Sequence, residues 1–437
     1  MRNFHSTFWA CLTAVTCLTA AGTAMAQTAP AAPPPGYWIG DIHLYGQIQG
    51  GITYNPASPK LNIGHSFTDR ANTPLLNQVL LGAEKKLDPK ATGFDWGFKL
   101  AAFHGSDARY THYLGFLDQD IPKQQRNQID VTDASLSLHI PVSIFEGGLD
   151  LKAGLYATPL GAELIDPATN PFYSHSYIFN YALPFKHTGA IATVHATGFL
   201  DLYLGVDTGT NTTFGSQGEN NKSVAGILGV GLNLMGGDLT VLALSHFGPE
   251  NAQRALAPVF NANNYMRYFN DIVVVWKATD KLTLTAEGTW AMDEFGGIAT
   301  KGKPAPANAF GLAGYGSYAL TDTITLNARA ELFRDDNGFF VGAFPGNYDP
   351  VYAQKGSPLS GAIGVPAATY GSLTLGVTYK PGLPKAITSL AIRPEFRVDQ
   401  SLGGNNVFNR KFNKTTGTFT YRDTTSITIG ADVVLTF

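Results

Sequence analysis

From residue 40 onward the apolar residues of this chain recur with a period of two, and no wholly apolar run exceeds about five residues, the longest at 272–276. Ile324, Leu326, Ala328 and Leu332 alternate with Thr325, Asn327, Arg329 and Glu331. In the last segment Ile427, Ile429, Ala431, Val433, Leu435 and Phe437 share one face, and Thr428, Asp432 and Thr436 the other. A pleated strand sends successive side chains to opposite faces, so each such segment has one apolar side and one polar side. A helix that crosses a bilayer needs roughly 20 apolar residues in a row, and none is present beyond residue 26. Any membrane crossing by this part of the chain must therefore use strands.

Sixteen segments carry the pattern. They lie near 40–54, 75–87, 94–106, 128–140, 149–159, 187–197, 199–208, 223–234, 239–248, 265–277, 282–293, 309–320, 323–334, 369–380, 387–399 and 425–437. Short connections (88–93, 141–148, 197–198, 235–238, 278–281, 320–323, 380–386) alternate with long ones (55–74, 107–127, 160–186, 209–222, 249–264, 294–308, 335–368, 400–424). A soluble sandwich has no reason to collect every long loop at one end. A closed barrel in a membrane does, with short periplasmic turns, long outer loops and an even strand number. Closure also pairs the backbone N–H and C=O groups that lipid cannot satisfy. The predicted fold is all-β: a single transmembrane antiparallel β-barrel of about 16 strands, with roughly 14–18 as the range set by boundary slippage.

Composition fits that fold. Charged residues reach only 14%, against roughly 25% in an ordinary globular chain, as expected when half of every strand faces lipid. The net charge of −3 gives no basic face for nucleic acid. Residues 1–26 combine Arg2, an apolar run at 8–21 and Ala24-Met25-Ala26, the pattern of a cleaved signal peptide. Residues 27–39 are an Ala/Pro-rich periplasmic tether, and 40–437 the barrel domain. Cys11 and Cys17 both fall in the first segment, so the rest of the chain has no disulfide framework and no thiolate chemistry. The expected location is the bacterial outer membrane.

A barrel of sixteen or so strands leaves an aqueous lumen. Strand parity places Lys99, Lys152, Arg267, Glu287, Arg329, Glu331, Arg393, Glu395 and Arg397 on the inner face as pore-lining candidates. Acidic residues outnumber basic ones on that face, which points to a weak preference for cations; salt bridging along the wall is the plainer role. Parity is ambiguous for 187–197, 239–248 and 265–277. The third long loop is the densest in prolines, aromatics and small polar residues, a composition of fixed turns. It has two possible placements. Folded into the lumen, it would narrow the channel with Glu163, Asp166, Asn170, Tyr173 and His175; otherwise it packs on the outer rim.

The run Gly154, Pro159, Gly161 and Glu163, then Asn170-Pro171, Tyr173-Ser174-His175-Ser176, Pro184 and His187-Thr188-Gly189, resembles the OmpL-like β-barrel porins of Gram-negative bacteria. Gly105-Ser106-Asp107-Ala108-Arg109-Tyr110 is similar to the same family's loop after the third strand. His175 stands where the family pattern has arginine. The resemblance implies a passive outer-membrane channel and supplies no substrate.

Enzyme signatures are missing. Ser174-His175-Ser176 and Ser245-His246 lack a recognisable third group, and Gly314-Tyr315-Gly316-Ser317-Tyr318 lacks the closing glycine of a nucleophile elbow. The histidines are scattered, with no H-E-x-x-H. Asp335-Asp336-Asn337-Gly338 lacks the glutamate of a calcium loop. The reading is therefore no enzyme, no cofactor and no metal. The expected function is a water-filled channel for passive diffusion of small hydrophilic solutes and ions. Two alternatives stand beside it: a substrate-selective channel with a solute site at the third loop, and a non-transport barrel, adhesin or hydrolase. Expected partners are outer-membrane lipid, solutes and ions, and a homotrimer of the chain, with no nucleic acid.

Overall fold

The computed structural model describes residues 37–437 apart from 90, 122, 124, 216–218, 252–260, 301–302, 344–365, 384–388, 410 and 414–417. The expected signal peptide and residues 27–36 of the expected tether lie outside the described residues. Alternating side chains form strands wherever the sequence predicts them. The first eight barrel strands are β2 (Ile42–Tyr54), β3 (Leu75–Lys85), β4 (Asp95–Gly105), β5 (Gln128–Ile140), β6 (Leu149–Ala157), β7 (Lys186–Thr197), β8 (Leu200–Asp207) and β9 (Ala225–Leu234). The other eight are β10 (Leu239–Pro249), β11 (Met266–Lys277), β12 (Leu282–Thr300), β13 (Lys303–Ala319), β14 (Ile324–Asp335), β15 (Ala368–Tyr379), β16 (Ser389–Ser401) and β19 (Thr425–Thr436).

Each strand pairs antiparallel with its neighbour in sequence. β19 then pairs back onto β2, Ile429 opposite Tyr54 through Thr436 opposite Gln47, and the sheet closes on itself. Gly46 and Phe437 exchange both backbone hydrogen bonds, at 2.7 and 2.9 Å, so the seam runs to the final residue. Closure removes the two edges that an open sheet would expose to lipid. In β14 the alternation is plain: Asn327, Arg329, Glu331, Phe333 and Asp335 are buried inside, while Leu326 and Leu332 are exposed outside.

Three features differ from the sequence reading. Tyr37–Ile39, assigned to the tether, forms the short strand β1, which folds back on β2 with Ile39 opposite Ile42. It occupies the stretch of β2 that the end of β19 leaves unpaired. The stretch 294–308, assigned to a long loop, is mostly strand: β12 and β13 stay paired through Gly297 and Ala305, with register shifts beyond Asp293. Glycine and alanine there carry too little apolar surface to show the period of two. The eighth long loop also holds a small hairpin, β17 (Lys411–Asn413) with β18 (Thr418–Thr420).

The inner face is not uniformly wet either. Phe269, Phe333, Tyr370, Leu244, Ala309 and Ala313 point inward and pack against Leu160, Tyr177, Ile178, Tyr181 and Leu183 of the third long loop. The hydrophobic core of this protein therefore sits inside the barrel, on the half that carries the long loops. The ambiguous strands resolve with His187 and Ile191 of β7, Leu244 and His246 of β10, and Arg267, Phe269 and Asp271 of β11 buried inside.

Two glycines fix how closely the strands approach. Gly154 in β6 lies opposite Gly189 in β7. A Cβ at Gly154 (φ +132°) would meet Ala134 O, and one at Gly189 would meet Val206 O, both backbone atoms of the next strand out. Gly314 of β13 has open space at the same position. Overpacking of this kind costs about 1–3 kcal/mol. Gly189→Ala is accordingly expected to lower the urea midpoint of the detergent-folded barrel while Gly314→Ala leaves it in place; equal shifts for the two would contradict the register.

Candidate functional site in the lumen

The third long loop runs from Thr158 to Phe185 between β6 and β7, and it folds into the barrel. Gly161 takes φ +94°, a left-handed conformation that favours glycine, and a Cβ there would press on Leu183. The chain then crosses the inner wall from β11 to β16, and the wall side chains take up its backbone groups one by one. Asp271 Oδ2 accepts from Gly161 N (3.0 Å) and Glu287 Oε1 from Ala162 N (3.0 Å). Glu395 Oε2 accepts from Tyr173 N (2.9 Å), its Oε1 from Ser174 N (3.1 Å), and Glu331 Oε2 from Tyr177 N (2.7 Å).

Arginines serve the carbonyls. Arg393 Nη1 donates to Pro167 O (2.7 Å) and Asn170 O (2.6 Å), Arg329 Nη1 to Ser174 O (2.8 Å), and Arg397 Nη1 to His175 O (2.6 Å). Charge-assisted bonds are shorter and stronger than neutral ones, and more so out of water. Ser176 then caps the one-turn helix α2 (Tyr177–Tyr181) by accepting from Phe179 N. Tyr177 stacks on Tyr370 at 4.8 Å and on Phe333 at 5.8 Å. On its other side α2 meets the first and second long loops: Phe179 and His175 stack at 4.2 Å, and Phe67 packs on both. Arg109 of the short helix α1 (Ala108–Thr111) closes this layer with a two-pronged pair to Asp69, at 2.7 and 3.0 Å.

All nine pore-lining candidates face into the barrel, but Arg267, Glu287, Arg329, Glu331, Arg393, Glu395 and Arg397 are buried. Arg267 pairs with Asp293 at 2.6 Å; the other six hold the loop or one another. Only Lys99 and Lys152 keep half-exposed positions, Lys152 reaching Asp133 at 3.3 Å. With His195 and Asp201 they mark a half-exposed patch of inner wall toward the turn end of β4 to β8, below the buried loop-end stretch of the same strands.

The five loop candidates also separate. Glu163 is buried, with Oε1 2.8 Å from Arg329 Nη1 and Oε2 accepting from Ser176 N (3.0 Å) beside His175 Nδ1 (2.8 Å). Burial would raise its carboxyl, but the Arg329 charge and the His175 and Ser176 bonds outweigh it and hold the group at about 2. Tyr173 is buried and donates to Asn77 Oδ1 (3.0 Å). Asn170 clips residue 164 through both its N–H and C=O, at 2.9 and 2.7 Å. Asp166 stays half-exposed at the head of a turn whose Ala168 and Thr169 are exposed. This turn borders a cavity of about 310 Å³ lined also by Thr285, Ser317 and Asn327.

The sequence reading did not find Asn77 and Gln78 of β3, which hold the loops to the wall through Asp107 (2.8 and 3.1 Å) and, for Gln78, Ile165 O (2.9 Å). It also missed Lys186, fully buried between Asp130 (2.5 Å) and the Tyr113 ring. A lysine after Pro184-Phe185 carries no local signal of burial.

A family model described as "Putative beta-barrel porin-2, OmpL-like" matches residues 41–437, which take in every barrel strand and the loop just described. The chain belongs to this porin family. Solved barrels share the architecture at low identity. The outer-membrane channel DcaP of Acinetobacter baumannii superposes with a TM-score of 0.53 at 11% identity, covering 92% of this chain and 100% of its own. OmpF of Salmonella typhi, in complex with daunomycin, gives 0.53 at 11% over 91% and 97%. OprB of Pseudomonas putida gives 0.51 at 14% over 91% and 94%. These likenesses establish the fold. No curated relative matches the porin in sequence.

Because the Glu163 carboxyl is held at about 2 instead of its ordinary 4.5, its contribution to stability is fully present above about pH 4.5 and lost as pH falls toward 2. The contribution is on the order of 3 kcal/mol. Glu163→Gln should lower the thermal midpoint at pH 7, and the gap to the parent protein should close between pH 4.5 and 2. A gap that persists unchanged at pH 2 would contradict the assignment.

Proposed function

We propose that this porin is a passive diffusion channel of the bacterial outer membrane for small hydrophilic solutes and ions, with the third loop as its constriction. The observation that carries the reading is the asymmetric lumen. The loop is bound across β11 to β16, while the facing strip with Lys99, Lys152, His195 and Asp201 keeps access to water. Asp166, at the loop's half-exposed turn, is the one of the five loop candidates that is not buried; Glu163, Asn170, Tyr173 and His175 keep the loop in place. On the open strip Glu84, Asp150 and Asp201 face Lys99, Lys152 and His195, the last bonded to both Asp150 and Asp201. A weak cation preference therefore draws its support from the excess of acid over the inner face as a whole. A homotrimer is part of the proposal, supported by the solved Vibrio cholerae OmpT described in trimer form, with TM-score 0.51 at 12% identity over 91% of this chain and 99% of that one. Export by residues 1–26 and a tether over residues 27–36 complete it.

The cavity beside the Asp166 turn favours a second reading, a solute-selective channel. Its hydroxyls and amide (Thr169, Thr285, Ser317, Asn327) stand beside Glu163, Lys380 and Arg393, a mixed hydrogen-bonding lining that suits a polyhydroxylated solute. Planar-bilayer recording tests both. Deleting residues 163–176 should raise single-channel conductance severalfold, and an unchanged conductance would remove the constriction. Saturable block of the parent current by a small sugar would move the reading to the selective channel. In a potassium chloride gradient the reversal potential should sit on the cation side, and Asp201→Asn should bring it toward zero; an anion-side potential would contradict the preference.

A further inference from the structure

One polar cluster of the inner wall takes no part in the clamp at β11 to β16. His187 of β7, Asp207 of β8 and His246 of β10 converge at the loop end of the barrel, where β9 places Ala225 opposite Asp207 and Ile227 opposite His246. The two imidazole rings stand 4.8 Å apart, and none of the three residues is more than 3% exposed. His187 Nδ1 lies 3.0 Å from Asp207 Oδ2, and His246 Nε2 lies 3.2 Å from Asp207 Oδ1. Among the described residues, His187 Nδ1 and Asp207 Oδ2 have no hydrogen-bond partner beyond one another. Two buried imidazoles thus flank the two oxygens of one carboxylate, which gathers three metal-ligating side chains at one place.

We propose that His187, His246 and Asp207 form a binding site for a divalent transition-metal ion of the zinc class. One ligand atom from each residue lies within 4.8 Å of the other two. Two imidazoles and a carboxylate are the donor set that zinc and cobalt favour, with bonds of about 2.0–2.2 Å. Donors at neighbouring tetrahedral corners then stand about 3.3 Å apart, close to the 3.0 and 3.2 Å separations found here. A metal-binding histidine has its far ring nitrogen oriented by another group. His187 Nε2 is 3.0 Å from Thr158 Oγ1, and His246 Nδ1 faces Glu250 Oε1 at 3.9 Å. Glu250 Oε1 is itself buried without a hydrogen bond, so a dication would balance two buried carboxylates at once. Thr158 opens the third loop, and the ion would tie the root of that loop to three strands of the wall.

The full chain, refolded in detergent after chelator treatment, is to be titrated with Co2+ during refolding and then with Zn2+. The expected result is one cobalt per chain, with visible d–d absorption that zinc abolishes. His187→Gln and His246→Gln should each reduce cobalt uptake at least tenfold. His195→Gln, in the hydrogen-bonded His139–Asp150–His195 group at the turn end, should leave uptake unchanged. Folding of each variant is checked by its heat-modifiable gel mobility. For a variant that fails to fold, X-ray absorption of the parent protein's cobalt complex reads the two imidazole ligands directly. A folded parent protein that takes up no cobalt, uptake that survives both substitutions together, or a spectrum without imidazole scattering would each overturn the site.

Discussion

The wall from β11 to β16 places arginines and carboxylates where bulk water does not reach them, and desolvated charge is stable only when it is paired and hydrogen-bonded. Neighbouring wall residues supply part of that pairing, as in Arg329 with Glu331 at 2.9 Å and Arg397 with Asp399 at 2.9 Å. Much of the remaining capacity is taken up by the backbone of the third loop, several of whose amides go to carboxylates and several of whose carbonyls go to arginines. The dependence is mutual. A loop inside a barrel would otherwise bury unsatisfied peptide groups at about 1–3 kcal/mol each, and the wall would bury unsatisfied charge.

Once the loop is fixed in this way, other features of the lumen follow. Its aromatic face needs apolar partners, and the inward positions of β13 to β15 supply them with Ala309, Ala313, Phe333 and Tyr370. The first and second loops cover its other side through Phe67, Tyr110 and the Arg109–Asp69 pair. The packing fills the loop end of the lumen, where Tyr156, Lys186, His187 and Asp207 of the facing strands are buried as well, and half-exposed polar wall remains toward the turn end of β4 to β8. The outer surface has none of these demands, which is why it reads as a plain row of exposed Leu, Ile, Val and Phe.

The sixteen strands were legible because each has an exposed apolar side and a polar or packed inner side, and that contrast is written locally with a period of two. It failed where the contrast is weak. Gly296, Gly297 and Ala305 extend β12 and β13 without any apolar alternation, and Tyr37–Ile39 is too short to show a period. The inner charges of β14 and β16 were also assigned to the correct face, again by parity. Their partners were not legible, since Arg329 meets Glu163 and Glu395 meets Tyr173 only after the whole barrel has closed. The same reason hides His187, Asp207 and His246: they are scattered in sequence and adjacent in space. The motif glycines and prolines of the third loop marked it as a fixed structure; which side of the barrel rim it occupies depends on wall residues more than a hundred positions away.

Beyond residue 17 the chain has no cysteine, so the central claim, that the third loop lies clamped against the inner wall, can be tested with single cysteines. Ser174 is buried under Arg329, whereas Thr169 is exposed on the turn of the same loop. In the folded barrel a water-soluble maleimide should label Thr169→Cys rapidly and Ser174→Cys at least a hundredfold more slowly, with the difference vanishing on unfolding. Equal labelling rates at the two positions in the folded protein would contradict the clamp.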